Sequence, residues 1–462
     1  MSDTLILGLD ASKGRVDGVV LSGEGEVVAQ GLDYADTGAQ QRALGERLKA
    51  LCARHGARRL LFVLEATGGY EQTWLDLAET LELGTTRLIP VRLDPVRIHH
   101  EYRQQGVRSI GDAISALTIA RHVLKELGRY SAGCYLPDAA HRDARCAAHH
   151  IHKLGKDMTR LINRLDKQLS IHLPGLLAAF KVHKTDFVLR MLAKYKGKQG
   201  LLRAARRGFP GLKGCGPKRS ATVLAALEAG SGAARTPELA ARVIRDLAED
   251  IRRYAKRIEQ RKAELIACAP VDAARVELLR TMPGMGEYQA VQLLVFIDHI
   301  GRFDSAAKLA AFVGTQPDHK HSGDRLGGGH LSKKGPGLLR ATLFQVVSCA
   351  LMCGDAHMRA MYDEHKAKGK PDKVVRGILM HKVLRMVYGM LRTRTPYGAE
   401  VDRRHRQRRQ EAEKPGDTKM SEERIEREAE RLRGAPVTAR YRNRLKKSHG
   451  HQAAGAESTA SP

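Results

Sequence analysis

No two cysteines in this 462-residue chain fall in a CxxC spacing. The seven that occur, Cys52, Cys134, Cys146, Cys215, Cys268, Cys349 and Cys353, are odd in number and scattered. That argues against a disulfide scaffold and a structural zinc site, and for small buried thiols in a reducing, cytoplasmic setting. No apolar run reaches the roughly 18 residues of a transmembrane helix. The opening, MSDTLILGLDASKG, places no basic region ahead of its apolar stretch, so it reads as a first strand and not as a secretory leader. Aromatics are few, at 5%. There is no internal repeat, and no lipid-anchor motif or basic amphipathic stripe points to a membrane.

Positive charge is what the chain has in excess. Lys and Arg number 79 against 51 Asp and Glu, a net +28. Residues 401–462 supply 16 basic and 10 acidic residues, so +22 remains on residues 1–400 and the body itself is basic. Such a body suits a protein that neutralises phosphates, which favours nucleic acid as the partner. The length predicts two or three domains.

Residues 1–135 alternate strand and helix signals, as expected of an α/β domain. TLILGLD is an apolar run ending at Asp10, and RVDGVVLSGEGEVVAQG reads as a hairpin turning at Gly23–Gly25. RRLLFVLEA is a buried strand ending at Glu65, and TTRLIPV is a third. Helices are expected from Thr37, an N-cap, to Gly56, over GGYEQTWLDLAETLEL, and from about Asp112. In residues 136–272, two long stretches space apolar residues at three and four, predicting a coiled-coil-like helical arm or an ordinary bundle. Residues 273–396 read as a mostly α-helical domain with a helix–PGMG–helix unit and a glycine-rich loop. Residues 397–462 read as a charged, disordered tail.

In open α/β sheets functional groups gather beyond the carboxyl ends of the strands. Asp10 and Glu65 sit at two such ends, and Asp112 opens a helix. Carboxylates brought together repel, and a cation relieves them; hard oxygen donors suit Mg2+ or Mn2+. Two such ions can activate water and stabilise a leaving oxygen in phosphodiester cleavage. Acids at strand ends are also common caps, so the residues alone leave both readings open. The PGMGEYQA turn could offer helix-start N–H groups to phosphate, or be a tight turn between packed helices, and FPGLKGCGPKRSA is a weaker case of the same kind. His141, His149, His150 and His152 form a histidine group, but no cysteine pair or carboxylate completes a zinc set.

GLDASKGRVDGVV (strand, acid, hairpin) resembles the opening of the ribonuclease-H-like fold of Holliday-junction resolvases and many transposases. With LEATGGYE and GDAISALTIAR following in order, the chain resembles the insertion-sequence one-ten family, the DEDD transposases with a RuvC-like amino-terminal domain. MPGMGEYQAVQLLVFIDHIGRFDSAAKLAAFVGTQP, HSGDRLGGGHLSKKGPGLLRATL and KPDKVVRGILMHKVLRMVYGMLR resemble its second half, so the likeness spans most of residues 1–395. It departs at one place. Where the family has DxxDA this chain has SIGDA, with Ser109 in place of an aspartate and Asp112 matching the second acid. Ser109 offers an oxygen without a charge and stays outside the metal set.

The resemblance implies an enzyme, a DNA transposase or recombinase. In it Asp10, Glu65 and Asp112 hold Mg2+ or Mn2+, and a serine of the carboxy-terminal domain attacks DNA to give a phosphoserine. Aligned on the family's SG element that serine is Ser322, with Ser332 of LSKKG as the alternative. A serine needs a base or a metal; the loop itself offers only His319, His321 and His330, so family logic assigns activation to the acids. Lys333, Lys334 and Arg340 are candidates to hold phosphate, with glycines that let backbone approach it. The resemblance also implies a non-coding guide RNA and a homo-oligomer, dimer or tetramer. Two rivals stand beside it: a metal-dependent junction nuclease that uses water, and an inactive nucleic-acid-binding relic suggested by Ser109.

Overall fold

The computed structural model describes residues 3–104, 111–180, 186–230, 236–318, 321–322, 325–326, 330–398, 400 and 404. The chain divides into two compact units, Met1–Arg142 and Asp143–Pro462. The division falls inside a helix that starts at Ala139, a few residues beyond the 135/136 boundary expected from sequence. Ser109 and nearly all of the expected disordered tail lie outside the described residues.

The amino-terminal unit is a five-stranded mixed sheet with helices on both faces. Its strands are β1 (Thr4–Ser12), β2 (Arg15–Ser22), β3 (Val27–Ala35), β4 (Arg59–Glu65) and β5 (Arg87–Leu93), in the order β3-β2-β1-β4-β5. β1, β2 and β3 are antiparallel neighbours, whereas β1–β4 and β4–β5 are parallel. The parallel strands are covered on both sides, which is why they read as unbroken apolar runs. Side chains alternate between faces. Leu5, Leu7, Leu9, Leu60, Phe62 and Leu64 pack in one core with α1 (Gly38–Arg54) and α2 (Gln72–Thr80), around the fully buried Trp74. Ile6, Leu61, Val63, Ile89 and Val91 pack in the other with α3 (Pro95–Gln104), α4 (Asp112–Lys125) and α5 (Leu127–Tyr130).

Local signals explain these elements. The Thr37 hydroxyl accepts from the Gln40 N–H at 3.4 Å and caps α1, and Gly56 follows its end at φ 58°. α2 is shorter than the helix expected over GGYEQTWLDLAETLEL, because Gly68 and Gly69, at φ 80° and 122°, form a loop ahead of it. α4 lies so close to β1 that a Cβ on Gly8 would stand 2.3 Å from the Ala116 carbonyl oxygen and 2.7 Å from the Ala120 nitrogen. Only glycine admits that approach.

Among its described residues the second unit is helical apart from two-residue strand pairings. α6 (Ala139–His172) and α11 (Glu238–Cys268) have 34 and 31 residues, each about 45–50 Å long at 1.5 Å per residue. Between them come α7 (Pro174–Ala179), α8 (Asp186–Lys194), α9 (Gly197–Arg206) and α10 (Pro217–Ala229). Beyond them come α12 (Ala273–Arg280), α13 (Glu287–Ile297), α14 (Ala306–Val313), α15 (Gly337–Met352), α16 (Ala356–Ala367) and α17 (Asp372–Thr393). Leu165, Leu169, Ile244 and Ile251 of the long helices share one core with α7–α10. Ala148, Ile151, Ile258 and Leu265 share the other with α12–α17. The long helices therefore run in opposite directions between two cores. α8 and α9 occupy residues 186–206, to which the sequence assigned no element of their own. Among the described residues no single helix is long and apolar enough to cross a membrane.

Candidate active site

Asp10 and Glu65 end up side by side for reasons of register and parity. Leu9 pairs with Leu64 across the parallel β1–β4 ladder, so Asp10 and Glu65 stand level at the next step. Asp10 shares its face of β1 with Ile6 and Gly8, and Glu65 shares its face of β4 with Leu61 and Val63, which is the face covered by α4. Both are half-buried.

Two residues that the sequence reading passed over join them. Asp94 directly follows β5, the next parallel strand, and it is exposed. Burial, then the negative fields of Asp10 and Asp94, push the Glu65 carboxyl up to about 7. Tyr102 of α3 is buried, and its hydroxyl shares a 2.7 Å hydrogen bond with Ser115 of α4. Burial raises its phenol, the Ser115 bond opposes the rise, and Glu65 and Asp10 add to it. Asp94 was findable, since it ends an apolar strand just as Asp10 and Glu65 do. It also caps α3, accepting from the Val96 N–H at 3.0 Å. Asp112 begins α4 one turn ahead of Ser115; its side chain lies outside the described residues.

The loop after Glu65 is anchored by Glu71, which is 1% exposed. Its Oε2 accepts from the Thr67 and Gly69 N–H groups at 3.1 and 2.8 Å, and its Oε1 accepts from Arg92 of β5 at 3.0 and 2.6 Å. Burial pushes this carboxyl up, but the backbone hydrogen bonds and Arg92 outweigh it and hold it below the usual range. The EATGGYE block thus contains two different acids. Glu65 faces other carboxylates, and Glu71 is neutralised inside the fold.

Oxygen donors of like charge and no thiol or imidazole suit a hard divalent cation. Among the described residues no group of three or more His, Cys, Asp or Glu side chains is arranged to hold an ion. In the histidine group, His141 pairs with Asp138 at 3.0 Å and His149 packs edge-on to Phe296.

In the second unit the glycine-rich stretch is a set of short pairings. Pro317–Asp318 (β6) pairs with His330–Leu331 (β9), and His321–Ser322 (β7) pairs with Arg325–Leu326 (β8), placing Ser322 opposite Arg325. The Ser322 side chain lies outside the described residues. Ser332 is half-buried, and its N–H donates to Gln316 at 2.9 Å. The base of the loop is interlocked with the end of α14. A Cβ on Gly314 would meet the Lys334 carbonyl oxygen at 2.1 Å, and one on Gly335 would meet that of Phe312 at 2.0 Å. Lys333 and Lys334 are exposed. Arg340 is half-buried and donates to the Val313 and Gly335 carbonyls, each at 3.0 Å, so it braces the loop. The PGMG turn has a packing explanation: a Cβ on Gly284 would lie 2.3 Å from the Val346 oxygen of α15.

Residues 276–363 match the family described as "Transposase IS116/IS110/IS902 family". The chain is 32% identical over 124 residues to the insertion element IS110 43.6 kDa protein of Streptomyces coelicolor, covering 27% of this chain and 30% of that one. It is 27% identical over 215 residues to the insertion element IS116 44.8 kDa protein of Streptomyces clavuligerus, covering 45% and 53%. It is 29% identical over 139 residues to the pilin gene-inverting protein of Moraxella lacunata, covering 30% and 43%. The matched segments span 30–53% of the relatives' lengths.

Proposed function

We propose that this chain, whose residues 276–363 match the IS116/IS110/IS902 transposase family, is a member of that family and a DNA transposase or recombinase with a RuvC-like amino-terminal unit. The observation that carries the reading is the placement of Asp10 and Glu65 at the carboxyl ends of adjacent parallel strands on one face, under α4. The inversion activity in the name of the Moraxella relative agrees with it.

In this reading Asp10, Glu65 and Asp112 hold Mg2+ or Mn2+. The bound ion would relieve the repulsion among the carboxylates and polarise a phosphodiester oxygen. Ser322 is the nucleophile: its Oγ forms a new P–O bond while the bond from phosphorus to one deoxyribose oxygen breaks. The proton lost by the serine is balanced by one gained on the departing oxygen. A second DNA hydroxyl reverses the step, so strands are exchanged with no net hydrolysis. Lys333 and Lys334 hold phosphate at the loop, and Arg340 keeps the loop in place. A non-coding guide RNA, with which the basic body is compatible, and a homo-oligomer belong to the same proposal.

Purified chain, Mg2+, labelled supercoiled donor DNA and RNA from the element's flank test it. A protein–DNA adduct that survives denaturant, and is lost in both Ser322→Ala and Asp10→Ala, is the expected result. Cleavage without adduct that is indifferent to Ser322→Ala would establish the water-using nuclease instead. DNA binding with no chemistry in any sample would establish the relic.

A further inference from the structure

Residues 187–227, which form most of α8 and α10 and all of α9, contain ten Lys and Arg and not one Asp or Glu. The acids that flank this run, Asp186 and Glu228, pair with Arg190 at 2.9 Å and Arg206 at 3.3 Å. Among the described residues no carboxylate pairs with the other eight. In a chain of net +28 this is a concentrated run of charge, and of the segment that carries it only residues 209–230, a glycine-rich turn and a helix, were legible in the sequence.

The charge converges on that turn, residues 207–216. Gly208, Gly211 and Gly214 have φ of 71°, 70° and 80°, and Phe209 joins them at 51°. Phe209 is 1% exposed and wedges the turn against Phe187 and Tyr195. Lys194 Nζ donates to the Pro210 carbonyl at 3.1 Å, and Arg219 Nη1 donates to the Gly214 carbonyl at 2.6 Å. The guanidinium groups of Arg219 and Arg190 both lie within 4 Å of the place a Gly214 Cβ would take, and Arg190 Nε is buried with no acceptor among the described residues. Lys213 and Lys218 are exposed on the turn and the first turn of α10.

The α12–α13 hairpin has the same helix–turn–helix form but differs where it matters. Its turn is packed backbone to backbone on α15, and Glu287 stands in the first turn of α13. An acid there repels phosphate from the positive end of the helix. α10 has Pro217, Lys218 and Arg219 at the equivalent place.

Two features narrow the ligand. A dense cationic face on which the acids of α8–α10, Asp186 and Glu228, are both paired calls for a repeating anion, not a single one. Its rings are used up internally: Phe187 and Phe209 are buried, and Tyr195 lies on Phe209 with its hydroxyl donating to the Pro210 carbonyl. No ring is left for unpaired bases to stack on, which disfavours single strands. We propose that the α8–α10 face, centred on the 207–216 turn, binds the phosphate backbone of double-stranded DNA without reading its sequence. This deepens the reading of the chain as a DNA-acting protein and requires none of its chemistry.

The test is duplex binding by the full chain carrying Arg207→Ala, Lys213→Ala and Lys218→Ala, three exposed positions with no acid partner. Anisotropy with a duplex of about 30 base pairs over a salt series should show affinity about 10- to 100-fold weaker, and a log–log salt slope smaller by about 2–3. The loss should be equal on unrelated sequences. Arg207→Lys, Lys213→Arg and Lys218→Arg together should bind as wild type, and matching melting curves check that all three chains are folded. Unchanged affinity and slope overturn the proposal, as does a loss confined to single-stranded RNA of the same length. The two readings separate because Ser322→Ala should bind duplex normally. A wild type that forms no adduct while the triple variant loses its slope defeats only the serine; an adduct with no change in slope defeats only this face.

Discussion

Glu71→Ala should destabilise the amino-terminal unit by about 1.5–3 kcal/mol, the range for hydrogen bonds to a charged group, because the Arg92 partner is itself 44% exposed and solvent screens the pair. The carboxylate is 1% exposed and takes N–H bonds from Thr67 and Gly69 and two from Arg92. Hydrogen bonds to a charged group contribute about 1.5–3 kcal/mol each, but these share one acceptor group and do not add. Alanine would leave the Arg92 guanidinium and the Thr67 and Gly69 N–H donors without their acceptor. For a unit of 142 residues, at about 2.1 cal/mol/K per residue, the change in melting temperature is about 5–10 °C. Glu71→Gln keeps an acceptor oxygen and loses the charge, so it should fall between. Because the folded carboxyl titrates below its ordinary value of about 4.5, its stabilisation is complete above that pH and is lost as pH falls through the folded value. The wild-type advantage over Glu71→Ala, measured by urea and thermal unfolding followed by circular dichroism, should therefore shrink in acid. A difference under about 1 kcal/mol at neutral pH, or one that does not change on acidification, would refute the reasoning.

Three further outcomes follow from the same geometry. Gly8→Ala forces a methyl against the backbone of α4 at 2.3 Å, so it should cost about 3 kcal/mol or more and separate α4 from the sheet, measured as lost cooperativity in urea. Mg2+ should raise the melting temperature more at pH 8 than at pH 6, because the Glu65 carboxyl sheds its proton only near 7, and Asp10→Asn should remove the effect; equal shifts at both pH values would argue against Glu65 as a ligand. Arg340→Ala removes two donors from main-chain carbonyls and should cost about 1–3 kcal/mol with no DNA present, whereas a residue that only held phosphate would leave the melting curve unmoved.

What could be read in advance depended on how strongly each segment is constrained. β1, β4 and β5 were legible as apolar runs because parallel strands covered on both faces tolerate little else. The same runs located Asp10 and Glu65. Asp94 obeys the identical rule and was passed over, since DPVRIHHEYRQ after it looked like connection: α3 buries only Ile98, Glu101 and Tyr102, too few for a clear period. α8 and α9 escaped for a related reason. They have nine and ten residues, and their basic side chains interrupt short apolar faces that gain meaning only against α6 and α11. The two acids of EATGGYE could not be told apart by sequence, because what separates Glu71 from Glu65 is Arg92, twenty-one residues away on another strand.

The +28 net charge gave no indication of position while it was only a composition. Ten of those charges belong to 41 consecutive residues without an acid, while in the other unit Asp10, Glu65 and Asp94 crowd at the end of a sheet. These are opposite electrostatic problems. A cationic face lowers its energy by displacing counterions from a polyanion, and a carboxylate cluster lowers its energy by taking up a proton or a cation. One supplies affinity that fades with salt. The other supplies a site whose occupancy depends on pH and divalent ion. Salt should therefore weaken DNA binding far more steeply than it weakens the Mg2+-dependent stabilisation of the amino-terminal unit, and pH near 7 should alter that stabilisation while leaving the salt slope of binding in place.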